Sequence, residues 1–171
     1  MRILFLLLVT TIGCDQSNIE CRNVVVDGSD KYRIESEDQV YLSDFDEPND
    51  TIRASIEVRN DKEVFDKIKL CHTQISNDTL KILLHTTTPA YHHEYEIIIA
   101  HGKYTIKYRF AAGGGIFDEI LLPKDTKLKL QTNKFKRGDI IRGYTEFERN
   151  CAKPCKDVLV VAKGNFKAII Q

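Results

Sequence analysis

Ile52-Arg53-Ala54-Ser55-Ile56-Glu57-Val58-Arg59 is the stretch whose reading decides the fold class. Ile52, Ala54, Ile56 and Val58 fall on one side of an extended chain, and Arg53, Ser55, Glu57 and Arg59 fall on the other, because successive side chains of a strand point to opposite faces. A helix puts neighbours three and four apart on one face, so it does not explain a spacing of two. The stretch therefore reads as a strand with one buried and one wetted face. Asn60-Asp61 then supplies a turn signal.

The same grammar recurs outward in both directions. Thr79–Thr86 carries Leu80, Ile82 and Leu84 in alternation, and Lys103–Phe110 sets Tyr104, Ile106, Tyr108 and Phe110 against Lys103, Thr105, Lys107 and Arg109. Glu94–Ala100 precedes that second run across His101-Gly102, which reads as a hairpin turn. Asn23–Val26 leads into Asp27-Gly28, and Lys31–Ile34 and Gln39–Leu42 are short strand candidates. Lys127–Gln131, Asp139–Phe147 and Val158–Val161 follow, with Phe166–Ile170 beyond a turn at Lys163-Gly164-Asn165. Helix is scarce: Lys62–Leu70 fits one or two helical turns, and Lys67–Leu70 fits a strand equally well. Short apolar runs separated by Gly, Asn and Asp predict an all-β antiparallel β-sandwich, with a small β-barrel as the alternative.

The N-terminus has a different pattern. Arg2 precedes an apolar run from Ile3 to Val9, and small and polar residues lead to Gly13-Cys14 before Asp15-Gln16-Ser17-Asn18. This is the order of an export signal, and it is too short to span a bilayer. Its ending, Thr11-Ile12-Gly13-Cys14, resembles the lipobox of bacterial lipoproteins; Gly13 and Cys14 match, Ile12 is acceptable, and Thr11 stands where leucine is usual. The resemblance implies cleavage before Cys14 and a diacylglyceryl group on its sulfur. Residues 1–13 are then the signal peptide, 14–20 a lipidated tether and 21–171 a single β domain. The implied place is the bacterial cell envelope, with the domain in the periplasm or at the cell surface. Each buried acyl methylene contributes about 0.8 kcal/mol, so more than one chain on Cys14 gives stable attachment. No later run approaches the roughly 20 apolar residues of a spanning helix.

The 25 basic and 25 acidic side chains balance, which excludes a strongly basic field and argues against nucleic acid as a partner. Absence of tryptophan weakens a carbohydrate- or base-stacking reading. Setting Cys14 aside leaves Cys21, Cys71, Cys151 and Cys155, an even number suited to disulfides in an oxidising compartment. The favoured pairing is Cys151–Cys155 as a local loop and Cys21–Cys71 tying the N-terminal segment to the body, a long closure worth about 3–4 kcal/mol. Cys151-Ala-Lys-Pro-Cys155 has one residue too many for the Cys-x-x-Cys redox motif, and Cys21 and Cys71 lie too far apart in sequence for a zinc site of two tight pairs.

His85, His92, His93 and His101, with His72 upstream, are the candidate metal-ligating cluster, and Glu94 offers a carboxylate. His92 and His93 share an ion only if they lie in a loop, since adjacent strand residues diverge; Pro89-Ala90-Tyr91 suggests such a loop. A solvated, histidine-rich edge is the plainer reading of the cluster. The acidic run Asp44–Asp50 is broken by Pro48 and Asn49 where a calcium loop needs alternating oxygens and a glycine. Ala111–Ile116 is glycine-rich but lacks the Gly-Lys-Ser/Thr ending of a phosphate loop, so its glycines serve a bend or close packing. Asn49-Asp50-Thr51 and Asn77-Asp78-Thr79 match the N-glycosylation pattern, and Thr51 and Thr79 also stand in a context resembling the O-glycosylation motif of Bacteroidota. Both also read as turn-to-strand transitions.

No nucleophile elbow, zinc-binding helix or dinucleotide fingerprint is present in the sequence. The functional expectation is a non-enzymatic protein-binding module without cofactor. It would act as an accessory subunit of an envelope machine or as an inhibitor or immunity protein, its partners being the membrane and an envelope or exported protein. The alternative is a small-ligand or metal binder built around His92–His101 and Gly113–Gly115.

Overall fold

The computed structural model describes residues 21–28, 32, 53–86, 91–112, 115–121, 123–150 and 158–171. Their strands are β1 (Arg22–Asn23), β2 (Val25–Val26), β3 (Arg53–Arg59), β4 (Val64–Ile68), β5 (Leu70–Ser76) and β6 (Thr79–His85). They continue with β7 (Tyr91–Ala100), β8 (Lys103–Ala112), β9 (Gly115–Ile120), β10 (Thr126–Leu130), β11 (Ile140–Asn150) and β12 (Leu159–Ile169). The helical content of the described residues is one 3-10 turn, Pro123–Asp125. Two six-stranded sheets result, one in the order β1-β8-β7-β6-β5 with β9 also on β8, the other β2-β10-β11-β12-β3-β4. Every pairing is antiparallel except β10 with β2. The expected all-β sandwich is borne out, and it is not a closed barrel.

Alternation builds the core. Ala54, Ile56 and Val58 are buried on β3, while Ser55 and Glu57 are exposed. Leu80, Ile82, Leu84, Ile97, Ile106, Tyr95 and Tyr108 meet Ile141, Phe147, Ala162 and Phe166 between the sheets. Each such large side chain, fully buried, contributes about 1.5–3 kcal/mol. Two hairpins use paired positive φ: Asn77 (48°) and Asp78 (60°) between β5 and β6, and His101 (51°) and Gly102 (74°) between β7 and β8. This is the twist-matched two-residue turn, as expected at His101-Gly102. Asn77 and Thr79 accordingly belong to a turn-to-strand transition.

Two local expectations are corrected. Lys62–Leu70 is not helical: β4 pairs with β3 and β5 with β6, and Lys69 marks the crossing between sheets, its carbonyl accepting from Ala54 N at 2.8 Å. Lys163-Gly164-Asn165 is not a turn, since β12 runs through it. A Cβ at Gly164 would lie 1.8 Å from the Ser55 carbonyl oxygen of β3, so the glycine permits close backbone approach. Gly143 does the same for the Phe166 ring, 2.6 Å from where its Cβ would stand. The short strands expected at Lys31–Ile34 and Gln39–Leu42 lie outside the described residues apart from Tyr32, which is buried.

The cysteine pairing changes too. Cys71 is a free thiol, buried in the core, and burial pushes its pKa up. Cys21 precedes β1 and Cys71 sits on β5, at opposite ends of the first sheet. Four interstrand spacings amount to about 19 Å, whereas a disulfide needs Cα atoms within about 7 Å. The expected Cys21–Cys71 bridge is therefore not formed, and Cys71 acts as a small core hydrophobe. Cys14, Thr51, Cys151 and Cys155 lie outside the described residues.

Candidate functional site

The histidines divide between two faces. His92 and His93 are consecutive in β7 rather than in a loop, so they diverge as strand geometry requires. On the outer face, His72, His85 and His92 form a ladder across β5, β6 and β7, with ring centroids 5.1 and 5.5 Å apart. Desolvation lowers the pKa of His72 and of His85, and neighbouring imidazoles lower His85 further. His92 Nε2 lies 3.2 Å from Glu94 Oε2, and Glu94 also faces Arg109 at 3.5 Å, whose Nε donates to Asp118 at 2.8 Å. His101 stands in the turn beyond the far end of β7, about 30 Å away at the rise of an extended strand. His92, His93 and His101 thus do not converge, and among the described residues no group of His, Cys, Asp and Glu is placed to hold a metal. Gly113 and Gly114 lie outside the described residues, and Gly115 opens β9.

His93 enters the space between the sheets. Its Nδ1 lies 2.8 Å from the Tyr108 hydroxyl oxygen, which also accepts from Arg149 Nη2 at 2.8 Å. The Arg149 guanidinium carbon rests 4.0 Å above the Tyr108 ring, an additional cation–π contact. Arginine only donates, so the Tyr108 hydroxyl oxygen accepts from Arg149 and keeps its own hydrogen available to a ring nitrogen of the neutral histidine. The His93 Nε2 faces Asp66 Oδ2 at 3.7 Å, too long for a hydrogen bond. Burial, then Arg149 and His92, lower the His93 pKa to about 4. The histidine is neutral near pH 7, so its contact with Asp66 is not an ion pair.

A polar row thus crosses one end of the sandwich: Asp66 on β4, His93 on β7, Tyr108 on β8 and Glu119 on β9, with Arg149 reaching in from β11. The Asp66 and His93 side chains are each 7% exposed. Asp66 Oδ1 accepts from Lys67 N at 2.7 Å, but Asp66 Oδ2, Glu119 Oε1 and Arg149 Nε are buried without a hydrogen-bond partner. Such atoms cost about 1–3 kcal/mol each. Burial raises the pKa of Asp66 and of Glu119, Arg149 partly opposing it for Glu119. Burial also pushes Tyr95 up to about 12 and raises Tyr108, the reverse of what an activated nucleophile needs.

Beside the row runs β9, which the sequence reading missed. Gly115-Ile116-Phe117-Asp118-Glu119-Ile120 lacks period-two alternation, because Ile116 and Phe117 are adjacent. Among the described residues β9 pairs with β8 alone. Ile116, Ile120 and Phe117 are 74%, 46% and 36% exposed. A groove of about 360 Å³ runs along it, lined by Lys107, Arg109, Asp118, Glu119 and Ile120 among others. A second groove of about 720 Å³, on the outer face by His72, Lys81, Glu96 and Arg137, has no apolar enclosure comparable to a ligand pocket.

The row residues carried one readable signal. Arg149 is in phase with Thr145 and Phe147, His93 with Tyr95 and Ile97, and Asp66 with Ile68. A charged or titratable side chain on the core parity of a strand marks a buried polar site. No protein-family model, curated protein or solved structure matches the chain.

Proposed function

We propose that the chain is a lipid-anchored lipoprotein of the bacterial cell envelope whose β-sandwich is a non-enzymatic protein-binding module. It serves as an accessory subunit of an envelope machine or as an inhibitor or immunity protein. The anchor rests on Thr11-Ile12-Gly13-Cys14. The binding role is carried by the β9 edge, where Ile116, Phe117 and Ile120 are exposed on a strand whose only partner among the described residues is β8. An edge of this kind is a template for another chain unless something covers it.

Affinity purification of the tagged full chain from detergent-solubilised membranes tests the role. A stoichiometric protein partner is expected. Recovery of the chain alone, under conditions that keep envelope complexes intact, would sink the reading.

A further inference from the structure

We infer that a partner protein adds an extended segment to β9, and that this segment carries a lysine or arginine opposite Glu119. The inference rests on the protein-binding reading and specifies its site and chemistry.

The other edges are managed by shortness, bulging or hydrogen bonds, and β9 by acidic charge alone. β5 is stitched to the end of β12 and the residues after it: Thr73 Oγ1 donates to the Ile169 carbonyl at 2.7 Å and Ile75 N to that of Gln171 at 3.0 Å. β4 is bulged against β3 where Val58 gives way to Arg59, and β2 has two residues. β9 offers six residues, with neither lysine nor proline among them; its only edge-blunting charges are Asp118 and Glu119, which leave the edge open to a basic strand.

Charge selects the occupant. In the polar row the charge acting on the Glu119 carboxyl is the Arg149 guanidinium, whose Nη2 donates to the Tyr108 hydroxyl oxygen. Glu119 Oε1 is buried and lacks a donor, and Asp118 lies beside it on the strand. An incoming ammonium or guanidinium supplies that donor as a charge-assisted bond. Exposed Ile116 and Ile120 lie with Asp118 on the face of β9 opposite to Glu119, so apolar side chains one position from the basic one on one side and three on the other would cover them.

The same acids disfavour two other occupants. A second copy pairing β9 with β9 gathers two Asp118-Glu119 pairs on one short strand pair with no basic residue on either strand to offset them, which disfavours it. Residues 29–52 of this chain hold eight acidic side chains against Lys31 and Arg33, a net charge opposite to the one the occupant needs. A basic, apolar strand from another protein fits.

The test is a selection of displayed random peptides, each about 10 residues long and so sufficient for one strand, on the full chain in detergent. Enriched peptides are expected to carry Lys or Arg at a fixed position between β-branched residues. Glu119→Gln should weaken them roughly tenfold, as loss of a charge-assisted bond does, and the Ile116→Lys/Ile120→Lys chain should release them. Amide exchange of residues 115–120 should slow on peptide addition. Circular dichroism of both variants should match the wild type.

Enrichment of peptides without a basic residue, equal binding by the variants, unchanged exchange in β9, or no enrichment overturns the inference. The wider reading fails separately. If the Ile116→Lys/Ile120→Lys chain recovers the same membrane partner as wild type, protein binding stands and the β9 assignment falls; if neither recovers one, protein binding itself falls.

Discussion

His93 shares the face of Tyr95, Ile97 and Ile99 in β7, and so is carried into the core whatever its polarity. Its pKa of about 4 in the fold, set first by burial, lies below the ordinary histidine value. The unfolded chain therefore binds the proton more readily, and stability is fully present above about pH 6.5 and lost as pH falls towards 4. His72 and His85 act in the same sense. Asp66 and Glu119 act oppositely, because raised carboxyl pKa values favour the fold on acidification. Urea unfolding should show His93 contributing a loss on the order of 1–3 kcal/mol across that window, and His93→Gln should flatten the profile; an unchanged slope would contradict the assignment. Cys71 gives a second test at this scale. Its buried free thiol should resist alkylation in the native chain and react once the chain is denatured without reductant. A Cys71-containing disulfide in the peptide map would refute that.

At the scale of elements, what could be read was what repeats every second residue. β3, β6 and β8 were legible because Ala54-Ile56-Val58, Leu80-Ile82-Leu84 and Tyr104-Ile106-Tyr108 alternate with polar residues. β4 and β5 were obscured because Val64 and Phe65 are adjacent and the chain changes sheet at Lys69. β9 was missed for the same reason at Ile116-Phe117. Gly164 misled in another way, since a glycine that reads as a turn can equally mark close contact between backbones. That contact predicts a contrast. Gly164→Ala forces a Cβ to within 1.8 Å of the Ser55 oxygen, whereas a Cβ at Gly28 meets nothing within 4 Å. Chemical unfolding should show a loss of about 2 kcal/mol or more for the first and within about 0.5 kcal/mol of wild type for the second. Comparable effects would mean that β3 and β12 are not held as described. The site was half legible: histidines drew notice by clustering in sequence, while Asp66, Tyr108, Glu119 and Arg149 come together from four strands and no linear motif announces them.

At the scale of the whole molecule, we propose that the sandwich and a lipid anchor divide the work. The body of the chain is a two-sheet domain with no described helix long and apolar enough to cross a membrane. Attachment is assigned to lipid on Cys14, so Cys14→Ser should move the protein from the membrane to the soluble fraction on centrifugation, and a variant still pelleting with membranes would contradict the anchor. With Cys71 free and Cys14 proposed to carry lipid, the remaining cysteines Cys21, Cys151 and Cys155 allow at most one bond within the chain. We propose Cys151–Cys155. The charge balance of the chain leaves recognition to local features, and β9 carries the most exposed of the large apolar side chains described, Ile116. A photo-crosslinking residue placed in living cells at position 120, and in parallel at exposed Glu57 on β3, addresses this most directly. A single protein adduct at position 120 and none at position 57 is the predicted result; no adduct at 120, or the same adducts at both, would contradict the account.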